Sequence, residues 1–151
     1  MIKLKKCKHF EIYEIVCPHI YEEYGEQAWQ FVPQWMAETL DKLREFFNAP
    51  ITINNYHWGG NLSQRGIRCI KCRLVQDRLK TGAIYASPHY TFQALDFNVK
   101  GMTAKEVYQT ILDNQKEFKH IKRMENIEYT PSWTHIDTKP TGQNKIYIFN
   151  P

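Results

Sequence analysis

A chain of 151 residues, 42% of them apolar, has the size of one domain and enough apolar mass for one core, so a single domain over residues 1–151 is expected. Its 20 basic and 16 acidic residues leave a net charge of +4 at pH 7. The two signs intersperse, which argues for a solvated surface and against nucleic-acid binding. No apolar run approaches the length of a membrane span, so no membrane association is expected. The basic start Met1-Ile2-Lys3-Leu4-Lys5-Lys6 lacks the apolar stretch and small-residue cleavage site of a secretory signal. The expectation is synthesis in the cytoplasm without an export address.

Residues 9–16 alternate loosely through Phe10, Ile12 and Ile15 and read as a short strand or an arm leading into Cys17-Pro18. Residues 19–31 suit a short helix, with Tyr21, Tyr24 and Trp29 as packing aromatics. The clearest helix covers about residues 33–48. Met36, Leu40, Leu43 and Phe47 form one apolar stripe, Pro33 suits the first turn, and Asn48-Ala49-Pro50 ends it. Residues 51–54 read as a strand, and Trp58-Gly59-Gly60-Asn61 as a loop. Residues 68–74 look like irregular chain or strand. Lys80-Thr81-Gly82 makes a turn. Residues 95–99 form a strand with Asp96 and Asn98 on one face and Leu95, Phe97 and Val99 on the other. Thr103 and Glu106 form a capping box for a helix that runs to about residue 116 and buries Ala104, Val107 and Ile111. Residues 121–124, 133–137 and 145–149 complete the strands. Helices first and strands later, in hairpin-like order, predict an α+β fold with a largely antiparallel sheet.

Four cysteines stand at positions 7, 17, 69 and 72. Cys69-Ile70-Lys71-Cys72 has the spacing of a zinc knuckle, and with Cys7 and Cys17 it would complete four ligands. Cys7 and Cys17 are too far apart in sequence for a second knuckle, so four reduced thiols are expected.

Two stretches carry metal-ligand chemistry. Ser87-Pro88-His89 and Ala94-Leu95-Asp96-Phe97 offer His89 and Asp96, and Trp133-Thr134-His135-Ile136-Asp137 offers His135. Two imidazoles and one carboxylate suit a catalytic zinc, because three protein ligands leave one position open for water. The order Ser-x-His, Ala-x-Asp, Trp-x-His resembles the zinc D-alanyl-D-alanine carboxypeptidase family, which includes phage endolysins and shares its fold with the hedgehog signalling domain. Leu40-Asp41-x-Leu43-Arg44, Pro50-Ile51-Thr52-Ile53-Asn54-Asn55, Trp58-Gly59-Gly60 and Arg65-Gly66-x-Arg68 extend the resemblance toward its small phage-encoded branch. It implies a hedgehog/D-Ala-D-Ala peptidase-like fold with helices packed on one side of the sheet. It also implies Zn2+ held by His89, Asp96 and His135.

The resemblance further implies a base for the water's proton. Ser132 stands where many relatives place Glu or Asp, so Glu125, Glu128 and Asp137 are the candidates, Glu125 first. Asp137 would alternatively orient a histidine. Arg68 matches the family's arginine and would hold a substrate carboxylate or oxyanion. Ser87 would support the site, and His57 and Trp133 would line it. Phe92 stands where the family has glycine. Phenylalanine does not easily take a positive φ, so the loop between the ligands is expected to follow a different path, with Phe92 turned away onto apolar neighbours or, as the less favoured alternative, partly covering the cleft.

The implied function is hydrolysis of peptidoglycan stem peptides, as a carboxypeptidase or endopeptidase of phage lysin type. Such an enzyme would reach the wall through a lysis pore or as part of a phage particle. The alternative is an inactive zinc-binding structural module held among virion proteins, which Ser132 and Phe92 favour.

Overall fold

A computed structural model describes residues 6–151; most of the basic start, residues 1–5, lies outside it. Among the described residues five α-helices and five short strands follow in the order α1 Ile12–Ile15, α2 Pro18–Tyr24, α3 Gln34–Phe47, β1 Ile51–Thr52, α4 Arg73–Leu79, β2 Ala94–Val99, α5 Ala104–Asp113, β3 Arg123–Glu125, β4 Thr134–Asp137 and β5 Tyr147–Phe149. Turns of 3-10 helix extend α2 and α5 and cover Tyr56–Trp58. Among the described residues no helix is long and apolar enough to cross a membrane.

The strands form one sheet in the order β1-β2-β4-β3-β5, so the chain is α+β. The sheet is mixed rather than purely antiparallel. β1, β2, β4 and β3 pair antiparallel in turn, but β5 lies parallel to β3. β5 does run opposite to β4, as a hairpin return would, yet β3 occupies the place between them.

The stripe on α3 works as its spacing requires. Met36, Ala37, Leu40 and Leu43 are buried, and the helix stops where Asn48 turns left-handed at φ 47°. They share one core with Ile12 and Ile15, with Leu95 and Phe97 of β2, with Val107 and Ile111 of α5, and with Ile136 of β4. Each of the larger side chains contributes about 1.5–3 kcal/mol on full burial. The capping box at Thr103 forms as the sequence requires: Thr103 Oγ accepts from the Glu106 N–H at 3.2 Å, and Glu106 Oε2 accepts from the Thr103 N–H at 2.7 Å.

Three local expectations change. Residues 12–15 are a turn of helix rather than a strand, because Glu14 reaches back to accept from the Glu11 N–H at 2.8 Å. Ile12 and Ile15 then share one buried face, and only Val16 stays extended, bridging Ile67 in parallel. Residues 73–79, read in part as irregular chain or strand, form α4 with Cys72 as its N-cap. Only Val75 of that helix is buried, so its apolar periodicity is faint. The strand expected over 51–54 ends at Thr52, and Asn54 turns inward. Its Nδ2 donates to Val16 O, and its Oδ1 accepts from the Arg65 N–H, both at 3.1 Å.

Candidate metal centre

β2 and β4 are neighbours, and their register sets Asp96 directly opposite His135. Residues opposite one another across a strand pair share a face, so a carboxylate and an imidazole meet there. Asp96 Oδ1 lies 2.7 Å from His135 Nδ1. His89 comes from the turn before β2, where Ser87 O accepts from the Tyr90 N–H at 2.9 Å and Ser87 Oγ accepts from the His89 N–H at 3.3 Å. That turn puts His89 Nε2 3.2 Å from Asp96 Oδ2. The ligand atoms of His89, Asp96 and His135 all lie within 4.8 Å of one another, and all three residues are buried.

The donor set fits zinc. Ligands at about 2.0–2.1 Å in a tetrahedron stand roughly 3.3 Å apart, close to the His89–Asp96 separation. Each ring is also tied on its far side. His89 Nδ1 donates to Gly66 O at 2.9 Å, and His135 Nε2 faces Asp137 Oδ2 at 3.3 Å. These outer partners fix which nitrogen of each ring offers its lone pair to the centre.

The charges are arranged as a salt-bridged cluster. Burial would raise the Asp96 carboxyl, but His89 and His135 hold it well below the usual carboxylate range. Burial would lower His135, but its hydrogen bonds to Asp137 and Asp96 outweigh this and raise it to about 9. Burial lowers His89. The proton on His135 Nδ1 thus occupies the short contact to Asp96, where a cation would otherwise sit. Arg68 adds positive charge 3.7 Å from Asp96 Oδ2.

Asp137 is fully buried and has no spare acceptor site. Oδ1 accepts from Arg123 Nε at 2.8 Å and from the Lys139 N–H at 3.0 Å. Oδ2 accepts from Arg123 Nη2 at 2.6 Å and faces His135. A carboxylate offers about four lone-pair positions, and all are taken, which suits orienting His135 rather than accepting a water's proton.

A cleft of about 290 Å³ opens over the three ligands. Of the residues singled out in the sequence, Arg68, Ser87, Glu125 and Trp133 line it. Arg68 is held by Gln64 O at 2.5 Å and by the Tyr85 hydroxyl at 2.8 Å. Burial raises the Glu125 carboxyl, the direction that makes it a better proton acceptor. Glu128 is exposed on the following turn and is not part of the lining. His57 is not part of it either. It is exposed and stacks on Tyr13 at 3.8 Å between ring centres. Ser132 is exposed, with its carbonyl accepting from Asn98 Nδ2 at 2.7 Å.

Pro88, Arg123 and Phe149 complete the lining. The guanidinium of Arg123 lies 4.1 Å over the Phe149 ring, whose edge meets His135 at 5.6 Å between centres. Nothing in the sequence singled out Phe149, since parallel pairing of β5 is what brings it there. Phe92 does take a positive φ, against the expectation. It adopts the left-handed conformation at φ 61°, the geometry expected of glycine, while its ring packs on the core near Phe31.

Among the described residues a second group could also hold a metal ion: Cys17, His19, Cys69 and Cys72. Comparisons with protein-family models, with curated proteins and with solved structures give no match.

Proposed function

We propose that this chain is a zinc-dependent peptidase that hydrolyses peptide stems of bacterial peptidoglycan. The observation that carries the reading is the convergence of His89, Asp96 and His135, each imidazole tied on its far side, at the floor of an open cleft. The order of motifs around these residues, with its resemblance to zinc D-alanyl-D-alanine carboxypeptidases and phage endolysins, supplies the substrate class. When bound, zinc would supply a Lewis acid that activates water and polarises the scissile carbonyl.

The protein's own residues would do the rest. Glu125, raised by burial, would take the water's proton and pass it to the leaving amine. Arg68, pinned by Gln64 and Tyr85, would hold the developing oxyanion or a terminal carboxylate of the stem. Asp137 would keep His135 oriented. Trp133 and Phe149 would wall the peptide and limit water. The chain would act at the wall after release through a lysis pore or as part of a phage particle.

The test is digestion of purified peptidoglycan by zinc-loaded protein, read as new amino termini or free D-alanine. Release that disappears in His135→Ala and in Glu125→Gln is expected. A fully zinc-loaded protein that releases neither product would overturn the reading in favour of a zinc-binding structural module.

A further inference from the structure

We infer that Cys17, His19, Cys69 and Cys72 form a second, structural zinc site that clamps the start of the chain to the loop beneath the candidate metal centre. The four ligand atoms lie within 4.8 Å of one another. All four come from just two short segments, reading Cys-x-His and Cys-x-x-Cys. The Cys69–Cys72 segment turns tightly, with the Cys72 N–H donating to Cys69 O at 3.0 Å. Cys7, the partner expected from the sequence, stands elsewhere, its Sγ 3.8 Å from Ala37 O on α3. His19 takes its place because α2 starts at Pro18 and carries the ring toward both sulfurs.

The spacing is that of a closed tetrahedral site. Zinc–sulfur bonds of about 2.3 Å and zinc–nitrogen bonds of about 2.0–2.1 Å put neighbouring ligands roughly 3.5–3.8 Å apart. His19 Nδ1 lies 3.5 Å from Cys69 Sγ and 3.9 Å from Cys72 Sγ. All four cysteines are free thiols, so no disulfide competes for these sulfurs. Three thiolates and one imidazole fill the coordination sphere and leave no open position, which marks a structural rather than a catalytic ion. Binding releases the thiol protons to solvent and involves no redox step.

The place of the site gives it a task. The segment from Arg65 to Arg68 runs between Val16, which bridges Ile67, and the candidate ligands. On one side Ile67 N–H donates to Ile15 O at 2.8 Å, and Cys17 N–H donates to Ile67 O at 3.0 Å. Gly66 is needed there, because a Cβ would collide with the Ile15 carbonyl oxygen. On the other side Gly66 O receives His89 Nδ1, Arg65 O accepts from the Asp96 N–H at 2.7 Å, and Arg68 N–H donates to His89 O at 3.2 Å. A metal bridging Cys17 and His19 to Cys69 and Cys72 locks the end of this segment, and so steadies both His89 and Arg68.

The experiment measures metal content of the purified full-length protein together with its cobalt spectrum. Two zinc ions per chain are expected. His89→Ala should retain one, and after cobalt exchange that variant should show a thiolate-to-cobalt charge-transfer band. Alkylation mapped by mass spectrometry should label Cys17, Cys69 and Cys72 only after a chelator is added. His19→Ala should hold this second equivalent more weakly, giving it up to a chelator before the unmutated protein does, while keeping the first. Absence of the band in cobalt-loaded protein, or alkylation of the three thiols that ignores the chelator, would overturn the inference. The alkylation arm needs only the unmutated protein, so a variant that fails to fold does not rescue the idea. Failure of the peptidase reading would leave this second equivalent in place, so the two outcomes are separable.

Discussion

Asp137 presents the same oxygen, Oδ2, to the guanidinium of Arg123 at 2.6 Å and to Nε2 of His135 at 3.3 Å. One buried carboxylate therefore sets both the tautomer of a candidate ligand and the position of a cleft-lining arginine. Asp137→Asn keeps the shape but offers an N–H where two donors already point. We expect zinc affinity at the histidine site to fall about 10–100-fold, measured by competition with a chromophoric chelator. An unchanged affinity would show that His135 needs no such support.

Glu125→Gln should keep the zinc and lose about a hundredfold or more of the peptidoglycan-hydrolysing rate. Metal content and turnover must be read on the same sample. Full activity in this variant would move the role to Glu128, testable by Glu128→Gln, and would require the exposed turn carrying Glu128 to move toward the cleft.

The metal-free site has a defined pH signature. His135 rises from its ordinary value to about 9, because hydrogen bonds to Asp137 and Asp96 outweigh burial. A raised histidine stabilises the fold fully below about 6.5, and that contribution is lost as pH rises through about 9. Chelated protein should therefore lose stability relative to His135→Gln between these limits. Zinc competes with the same proton at Nδ1, so zinc affinity should rise across the same window. Parallel denaturant titrations of the two proteins from pH 6 to 9.5 measure the first effect; a constant difference between them would refute it.

Phe92 separates backbone strain from packing. Its φ of 61° disfavours any side chain by about 1–2 kcal/mol, while its ring gains contact with the core. Phe92→Ala loses the ring and keeps the strain, whereas Phe92→Gly loses both. The glycine variant should be the more stable of the two by about 1 kcal/mol in chemical denaturation. The reverse order would mean that the turn relaxes out of the left-handed region once the ring is removed.

Much of the fold was legible where a single physical pattern dominates. The α3 stripe and the Thr103 capping box are local signals, and both elements form close to their expected limits. The alternation through Leu95, Asp96 and Phe97 put the carboxylate on one face of a strand, which the pairing with His135 then uses. Signals failed where the deciding contact is remote. Ile12 and Ile15 fit a strand or a helical turn equally, and a glutamate side chain decides between them. Cys17 and Cys72 are 55 positions apart in the chain, and no spacing rule would have chosen His19 over Cys7 as their companion. His57, beside Trp58 and two glycines, was expected to line the cleft, but it is exposed and stacks on Tyr13.

The parallel pairing of β5 with β3 has a consequence for timing. Phe149 walls the cleft and holds the Arg123 guanidinium against its ring, so the site gains its last side only when residues 147–149 have been made and docked. The three ligands stand at positions 89, 96 and 135, all before β5 in the chain. Pairing of β5 with β3, rather than the arrival of a ligand, is therefore the step that closes the cleft.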